Sequence, residues 1–336
     1  MSATDPAALA LLFSVVVPTR GESARLLALA DALARQGLAR ERWEIVVVPD
    51  GVALAPDVLG RLERLGARVS ATAARRGPGA ARNHGAALAR GAWLAFTEDD
   101  VTPAPDWLER AAARLEAEPA LDVLEGRTVK PGGRPVHRQS QDAPLYLPTN
   151  LFVRREAFAR AGGYCEDFFD AALGVYFRED ADLGWTLEEA GARVGREPGV
   201  LVTHPEEHQG FSSPLAWARR HEMDPLLAAR HPERFRQRLE VHRLGPLIVR
   251  RPVVRASVGC VVAAALALLA FALRSPDLAA GFAALAVLAF AVVWAKWRFA
   301  PLRLPVVLLV PFVLTAALLR GHRRVARLKS AGAGSA

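Results

Sequence analysis

Two runs of almost unbroken apolar residues, about 256–273 and 278–295, constrain this chain more than any other feature. Each is about long enough to cross a bilayer as a helix. Neither has a polar face to turn toward water, so neither reads as a surface helix of a soluble core. Arg274-Ser275-Pro276-Asp277 links them tightly, which makes them a hairpin. Arg250, Arg251 and Arg255 precede the first run, and Lys296, Arg298 and Arg303 follow the second. Basic residues flanking membrane helices favour the cytoplasmic side. Both ends of the hairpin are therefore expected there, together with everything that precedes it. A third apolar run, 304–319, is interrupted by Pro305 and Pro311 and followed by Arg320, Arg323, Arg324, Arg327 and Lys329. A full crossing would export those charges against the same rule, so an interfacial or re-entrant helix is expected. The 336 residues thus divide into 1–240 and a membrane region, 241–336, with a basic tail.

The net charge of +8 could mark either nucleic acid or an anionic membrane surface as partner. Many of the basic residues lie beside the apolar runs, which favours membrane lipids and argues against nucleic acid. Cys165 and Cys260 are far apart, and the second sits in an apolar run, so neither a disulfide framework nor a metal knuckle is expected. The first residues lack a basic region, so no signal peptide is expected.

The first 240 residues alternate between two periodicities. Short β-branched or apolar runs at 13–17, 43–48, 67–71 and 92–97 read as strands. Helical patterns at 22–36, 55–65 and 80–90 separate them. This order predicts a mostly parallel sheet covered by helices on both faces. Helices are further expected at 105–116, 154–161, 178–190 and 221–231, and strands at 121–129, 150–153 and 200–203. The stretch 130–148 reads as a loop, and 168–176 as irregular and aromatic-rich. Acidic residues recur where elements meet: Asp50, then Glu98, Asp99 and Asp100, then Asp180 and Asp182. Ligands of open α/β sheets bind at the carboxyl ends of strands. Three successive carboxylates there repel one another, and a hard divalent cation would compensate them.

Six motifs occur in order between Ser14 and His204: SVVVPTR, VVVPDG, GPGAARNHG, LAFTEDD, TNLFVRREAFARAGGY and REDADLGW. Together they resemble the family 2 glycosyltransferases. The resemblance implies a GT-A fold, a nucleotide diphosphate sugar as donor, Mg²⁺ or Mn²⁺ as cofactor, and transfer to an acceptor hydroxyl with inversion. It implies that Pro18 and Thr19 lie beside the base and ribose, and that Asp50 accepts a hydrogen bond from the base. Pro49 stands where many members have a second acid. Arg82 and Asn83 would lie beside the diphosphate. Asp99 and Asp100 correspond to the metal motif, one holding the ion and one the ribose, with His204 as a further ligand and Glu98 in a secondary role. Asp180 corresponds to the catalytic base, with Glu179 and Asp182 orienting it or binding the acceptor. Asn150, Gly163 and Tyr164 would form the acceptor side.

The Gln-x-x-Arg-Trp motif of processive members is absent, so addition of a single sugar is expected. The membrane hairpin suggests a lipid-linked or cell-envelope glycan as acceptor. Two other readings stay open: a polyprenyl-phosphate sugar synthase, and an inactive membrane scaffold marked by Pro49 and Glu98.

Overall fold

The computed structural model describes residues 11–136, 145–206, 210–244 and 247–333. The chain divides into two units, Met1–Glu207 and His208–Ala336.

The first unit opens with β1 (Phe13–Thr19), α1 (Ser23–Ala34), β2 (Trp43–Pro49), α2 (Pro56–Arg64), β3 (Arg68–Val69), α3 (Pro78–Leu88) and β4 (Trp93–Phe96). Every residue of β1, β2 and β4 is buried, as expected of strands covered on both faces. It continues with β5 (Thr102–Pro103), α4 (Trp107–Ala117), β6 (Val123–Val129), β7 (Leu151–Arg154), α5 (Arg155–Arg160), β8 (Phe169–Asp170), β9 (Val175–Tyr176), α6 (Glu179–Glu189) and β10 (Val194–Thr203). Eight strands form one sheet in the order β3-β2-β1-β4-β7-β6-β10-β5. β8 and β9 pair separately as a small antiparallel hairpin in the stretch expected to be irregular.

Strand direction explains where the site falls. β1 runs parallel to β2 and β4. β7 is antiparallel to both β4 and β6, so two reversals restore the direction, and β10 runs parallel to β6. The carboxyl ends of β1, β2, β4 and β10 therefore share one edge. The loops leaving that edge carry Thr19, Asp50, Glu98–Asp100 and His204. β10 is longer than the expected strand at 200–203, because an irregularity between Glu197 and Leu201 lets it pair along β6 on both sides of the break.

Helix α3 lies directly on β1 and β2. A Cβ at Gly85 would come within 2.5 Å of Val16 Cγ1 and 3.1 Å of Val48 Cγ2. This close approach brings Arg82, one turn earlier, to the sheet edge.

The second unit contains α7 (Ser213–Arg220), α8 (Asp224–Arg230), α9 (Pro232–Arg238), β11 (Val241–Leu244), β12 (Leu247–Arg250), α10 (Pro252–Ala272), α11 (Pro276–Ala295), α12 (Leu304–Val307) and α13 (Val310–Ala333). The unit boundary precedes the expected one at 240, because α7 and α8 pack with the apolar helices. Among the described residues, three helical stretches are long and apolar enough to cross a membrane: Pro252–Ala272, Pro276–Ala295 and Pro301–Ala331. The third outruns the expected 304–319, since the helix continues through the basic residues. On α13, Val310, Leu314, Ala317 and Gly321 recur as one buried stripe. Val310 and Leu314 share a cluster with Ala218 of α7. Arg320 Nε donates to Glu222 at 2.8 Å, and Arg303 Nη1 donates to Ser213 Oγ at 3.3 Å. The opposite face exposes Leu309, Phe312 and Leu319.

Gly85→Val should overpack the α3–sheet contact. The expected loss is about 1–3 kcal/mol, read as a lower melting temperature or a lower urea midpoint.

Candidate active site

A cavity of about 250 Å³ opens at the shared strand edge. Its donor-side wall comes from the ends of β1 and β4. Thr19 Oγ1 donates to Asp99 Oδ2 at 2.5 Å, and the Gly21 amide donates back to Thr19 Oγ1 at 2.9 Å. Asp99 is thus turned toward the β1 loop, away from its two acidic neighbours.

Glu98 and Asp100 converge on His204 instead. One ligand atom from each of the three lies within 4.8 Å of the others. Asp99 and Asp100 therefore face different partners: the longer Glu98 side chain joins Asp100 and His204, while Asp99 is held by Thr19. His204 Nδ1 lies 2.8 Å from the Pro205 carbonyl, which can only accept. Nδ1 therefore carries a proton, and Nε2 faces Asp100 Oδ2, 3.9 Å away. Two carboxylates and an imidazole suit a hard or borderline divalent ion such as Mg²⁺ or Mn²⁺.

Arg82 forms the floor. It is 1% exposed, with Nη2 2.9 Å from Glu98 Oε1 and Nη1 3.8 Å from Glu179 Oε1. Its guanidinium also lies over the Tyr164 ring, 5.4 Å from the centroid. Nε and Nη1 have no hydrogen-bond partner among the described residues.

Helix α6 begins beyond Arg82. Arg178 precedes it in a left-handed conformation, φ 77°, and Asp180 occupies its first turn. Asp180 Oδ1 accepts from the Ala181 amide at 2.7 Å. Burial raises the carboxyls of Glu98, Asp99 and Asp180 above their usual range, with hydrogen bonds or arginines opposing in part. Glu179 is pushed up to about 7, first by burial and then by Asp180.

Other expected site residues have structural work. Asp50 lines the cavity, but its carboxylate accepts from the amides of Arg76 and Gly77, at 2.8 and 3.0 Å, and from Thr72 Oγ1 at 3.2 Å. It caps the turn entering α3. Asn83 clamps Tyr164: Nδ2 donates to its carbonyl and Oδ1 accepts from its amide, both at 2.8 Å. Gly163, at φ 72°, lies so close that a Cβ would meet Asn83 Oδ1 at 2.7 Å. Tyr164 is buried against Phe96 and Phe158. Asp182 is buried in α6.

Asn150 is not at the cavity. Its Nδ2 donates to the carbonyls of Val200 and Arg127, at 2.8 and 3.1 Å, and its Oδ1 accepts from Trp107 Nε1 at 2.8 Å. The amide braces β6, β10 and α4 beneath the sheet edge.

Of the expected residues, Pro18, Thr19, Asp50, Arg82, Asp99, Asp100 and His204 line the cavity, and Glu98 joins them. Asn83, Asn150, Gly163, Tyr164, Glu179, Asp180 and Asp182 do not. Sequence reasoning missed Arg25, Arg75, Phe169 and Tyr176, all of which line it. Gly174 between apolar residues hinted at the hairpin carrying the two aromatics. No local signal paired Arg25 with the acidic loop.

A sheet edge with this acidic loop defines the GT-A class of nucleotide-sugar folds. The family model "Glycosyl transferase family 2" matches residues 14–181, half of the chain, and the chain belongs to that family. A pre-mycofactocin glycosyltransferase of Mycobacterium tuberculosis is 31% identical over 219 residues, covering 58% of this chain and 43% of its own length. The succinoglycan biosynthesis protein ExoO of Rhizobium meliloti is 34% identical over 187 residues, covering 52% and 50%. The chain therefore spans about half the length of these curated relatives. Among solved structures, the mannosyltransferase PcManGT from Pyrobaculum calidifontis, in complex with GDP-Man and Mn²⁺, has a TM-score of 0.55 at 19% identity. That match covers 93% of this chain and 87% of the other, and shows the fold.

Two outcomes are expected. Asn150→Ala strands three buried hydrogen-bonding partners and should cost about 2–4 kcal/mol of stability, with nucleotide affinity in the surviving folded protein unchanged by isothermal titration. Glu179 holds its proton more tightly when folded, so stability should fall as pH rises from its ordinary 4.5 toward about 7. Glu179→Gln should remove part of that fall, so its melting temperature should vary less between pH 5 and pH 8 than the wild type's.

Proposed function

We propose that this protein is a membrane-anchored, metal-dependent glycosyltransferase. It moves one sugar from a nucleotide diphosphate sugar to a hydroxyl of a lipid-linked or cell-envelope glycan, with inversion. The observation that carries the reading is the joining, at one strand edge, of the Thr19–Asp99 pair, the Glu98–Asp100–His204 group and buried Arg82, which pairs with the start of an α6 carrying Asp180 in its first turn.

Glu98, Asp100 and His204 would hold Mg²⁺ or Mn²⁺, which neutralises charge on the departing diphosphate. The PcManGT complex, with its GDP-Man and Mn²⁺, is a precedent within the fold. Thr19 and Asp99 would orient the ribose, and Arg82 would add fixed positive charge below the phosphates. Asp180 takes the acceptor proton as the hydroxyl oxygen bonds to the anomeric carbon. The carbon–oxygen bond to the nucleotide breaks on the opposite face, which inverts the centre. The raised affinity of Asp180 for a proton suits a general base.

In this reading α10 and α11 cross the membrane and the first unit is cytoplasmic. The buried stripe of α13 lies along α7 and α8, a segment carrying Arg219, Arg220, Glu222 and Asp224. Such charges are costly in hydrocarbon. An α13 tied to them by the Arg320–Glu222 pair rests at the interface, with Leu309, Phe312 and Leu319 toward lipid. A reporter fused to the C-terminus should then read the same side as one fused to the N-terminus. Opposite sides would mean that α13 crosses.

Nucleotide diphosphates should raise the melting temperature in the presence of Mn²⁺. Absence of a shift with UDP, GDP, ADP and dTDP alike would count against the donor reading. Asp180→Asn should lower kcat by at least a hundredfold with donor binding retained. A largely active Asp180→Asn would favour a phosphate acceptor, already ionised, as in polyprenyl-phosphate sugar synthesis.

A further inference from the structure

Each carboxylate of the candidate metal group also carries an arginine. Arg82 Nη2 is 2.9 Å from Glu98 Oε1, and Arg25 Nη1 is 3.6 Å from Asp100 Oδ2. The same atom, Asp100 Oδ2, faces His204 Nε2 at 3.9 Å. One oxygen therefore serves both the guanidinium and the imidazole with which it would share an ion. A divalent cation drawn to this group meets two positive charges that already hold its anionic ligands, and charges a few ångströms apart repel strongly where water is limited.

The two arginines are free to change partner in different ways. Arg25 is half exposed on the first turn of α1, and its Nε already reaches Glu22 at 3.1 Å. Arg82 cannot leave, but its Nε and Nη1 have no hydrogen-bond partner among the described residues, and the side chain lines the cavity. Both therefore border the space assigned above to the diphosphate. The forked guanidinium donors also suit phosphate oxygens.

We infer that Arg25 and Arg82 compete with the metal ion for its carboxylates and transfer their charge to the diphosphate when the ion binds. The cation and the nucleotide then bind cooperatively, each weakly without the other. This rests on the donor reading above and adds Arg25 as a binding residue.

The test is Mn²⁺ titration of the full chain in detergent, alone and with saturating UDP, GDP, ADP or dTDP, followed by the electron paramagnetic resonance of free Mn²⁺. In the wild type the nucleotide should tighten Mn²⁺ about tenfold, within the usual range of such couplings. Arg25→Gln should tighten Mn²⁺ alone about threefold, the scale of a half-exposed ion pair, and reduce the nucleotide's enhancement by a similar factor. Arg61→Gln removes the same charge from an exposed pair with Asp31 and should change neither quantity. Arg82→Met should act in the direction of Arg25→Gln and more strongly. Because that residue is buried, Arg25→Gln decides. If Arg25→Gln leaves Mn²⁺ binding unchanged or weaker while the wild type shows enhancement, the exchange is overturned and the donor reading stands. If wild-type Mn²⁺ binding shows no response to any of UDP, GDP, ADP and dTDP, both fall.

Discussion

The buried guanidinium of Arg82 is the interaction on which the site depends. Burying an ion without partners is prohibitive, and burying it with one partner is rarely enough. Arg82 resolves this by standing between Glu98 of the acidic loop and Glu179 at the start of α6. Those carboxylates are 81 positions apart in the chain, and the guanidinium joins them. The same residue also lies over Tyr164, whose backbone Asn83 clamps one position along α3. A single turn of helix thus ties the acidic loop, the start of α6 and the wall between them.

That arrangement needs α3 close to the sheet, and Gly85 permits it. It also needs the strand ends to meet. Two antiparallel steps across β7 bring β10 back into line with β4, so that His204 reaches the edge where Glu98 and Asp100 emerge. Asn150 stabilises the place where β7 enters this arrangement by occupying backbone carbonyls that the irregular part of β10 leaves over. Its contribution to the site is indirect, through the strands it joins.

Much of this was legible in the chain itself. The alternation of strand and helix patterns predicted the sheet, and the carboxylates at strand ends mark the edge where the cavity opens. Seven of the residues singled out for the site line the cavity. The sorting of the acidic triplet was not legible, because side chains of adjacent loop residues point in directions that only the fold sets. Asp50, Asn83 and Asn150 were read as ligand contacts. Their polar groups bond within the protein, to backbone groups of distant segments and to the side chains of Trp107 and Thr72. Arg25 could not be found, since its partner Asp100 is 75 residues away and no local pattern links them.

The sequence by itself determined the fold class, the apolar hairpin and the edge of the sheet where chemistry is possible. These follow from periodicity, hydrophobic length and the position of charges along the chain, which are local properties. Only the tertiary structure decided which carboxylates converge, which amides are already satisfied, and that the third apolar helix pairs with a charged partner. These depend on contacts between distant residues, whose distances and unmet hydrogen bonds exist only once the chain is folded.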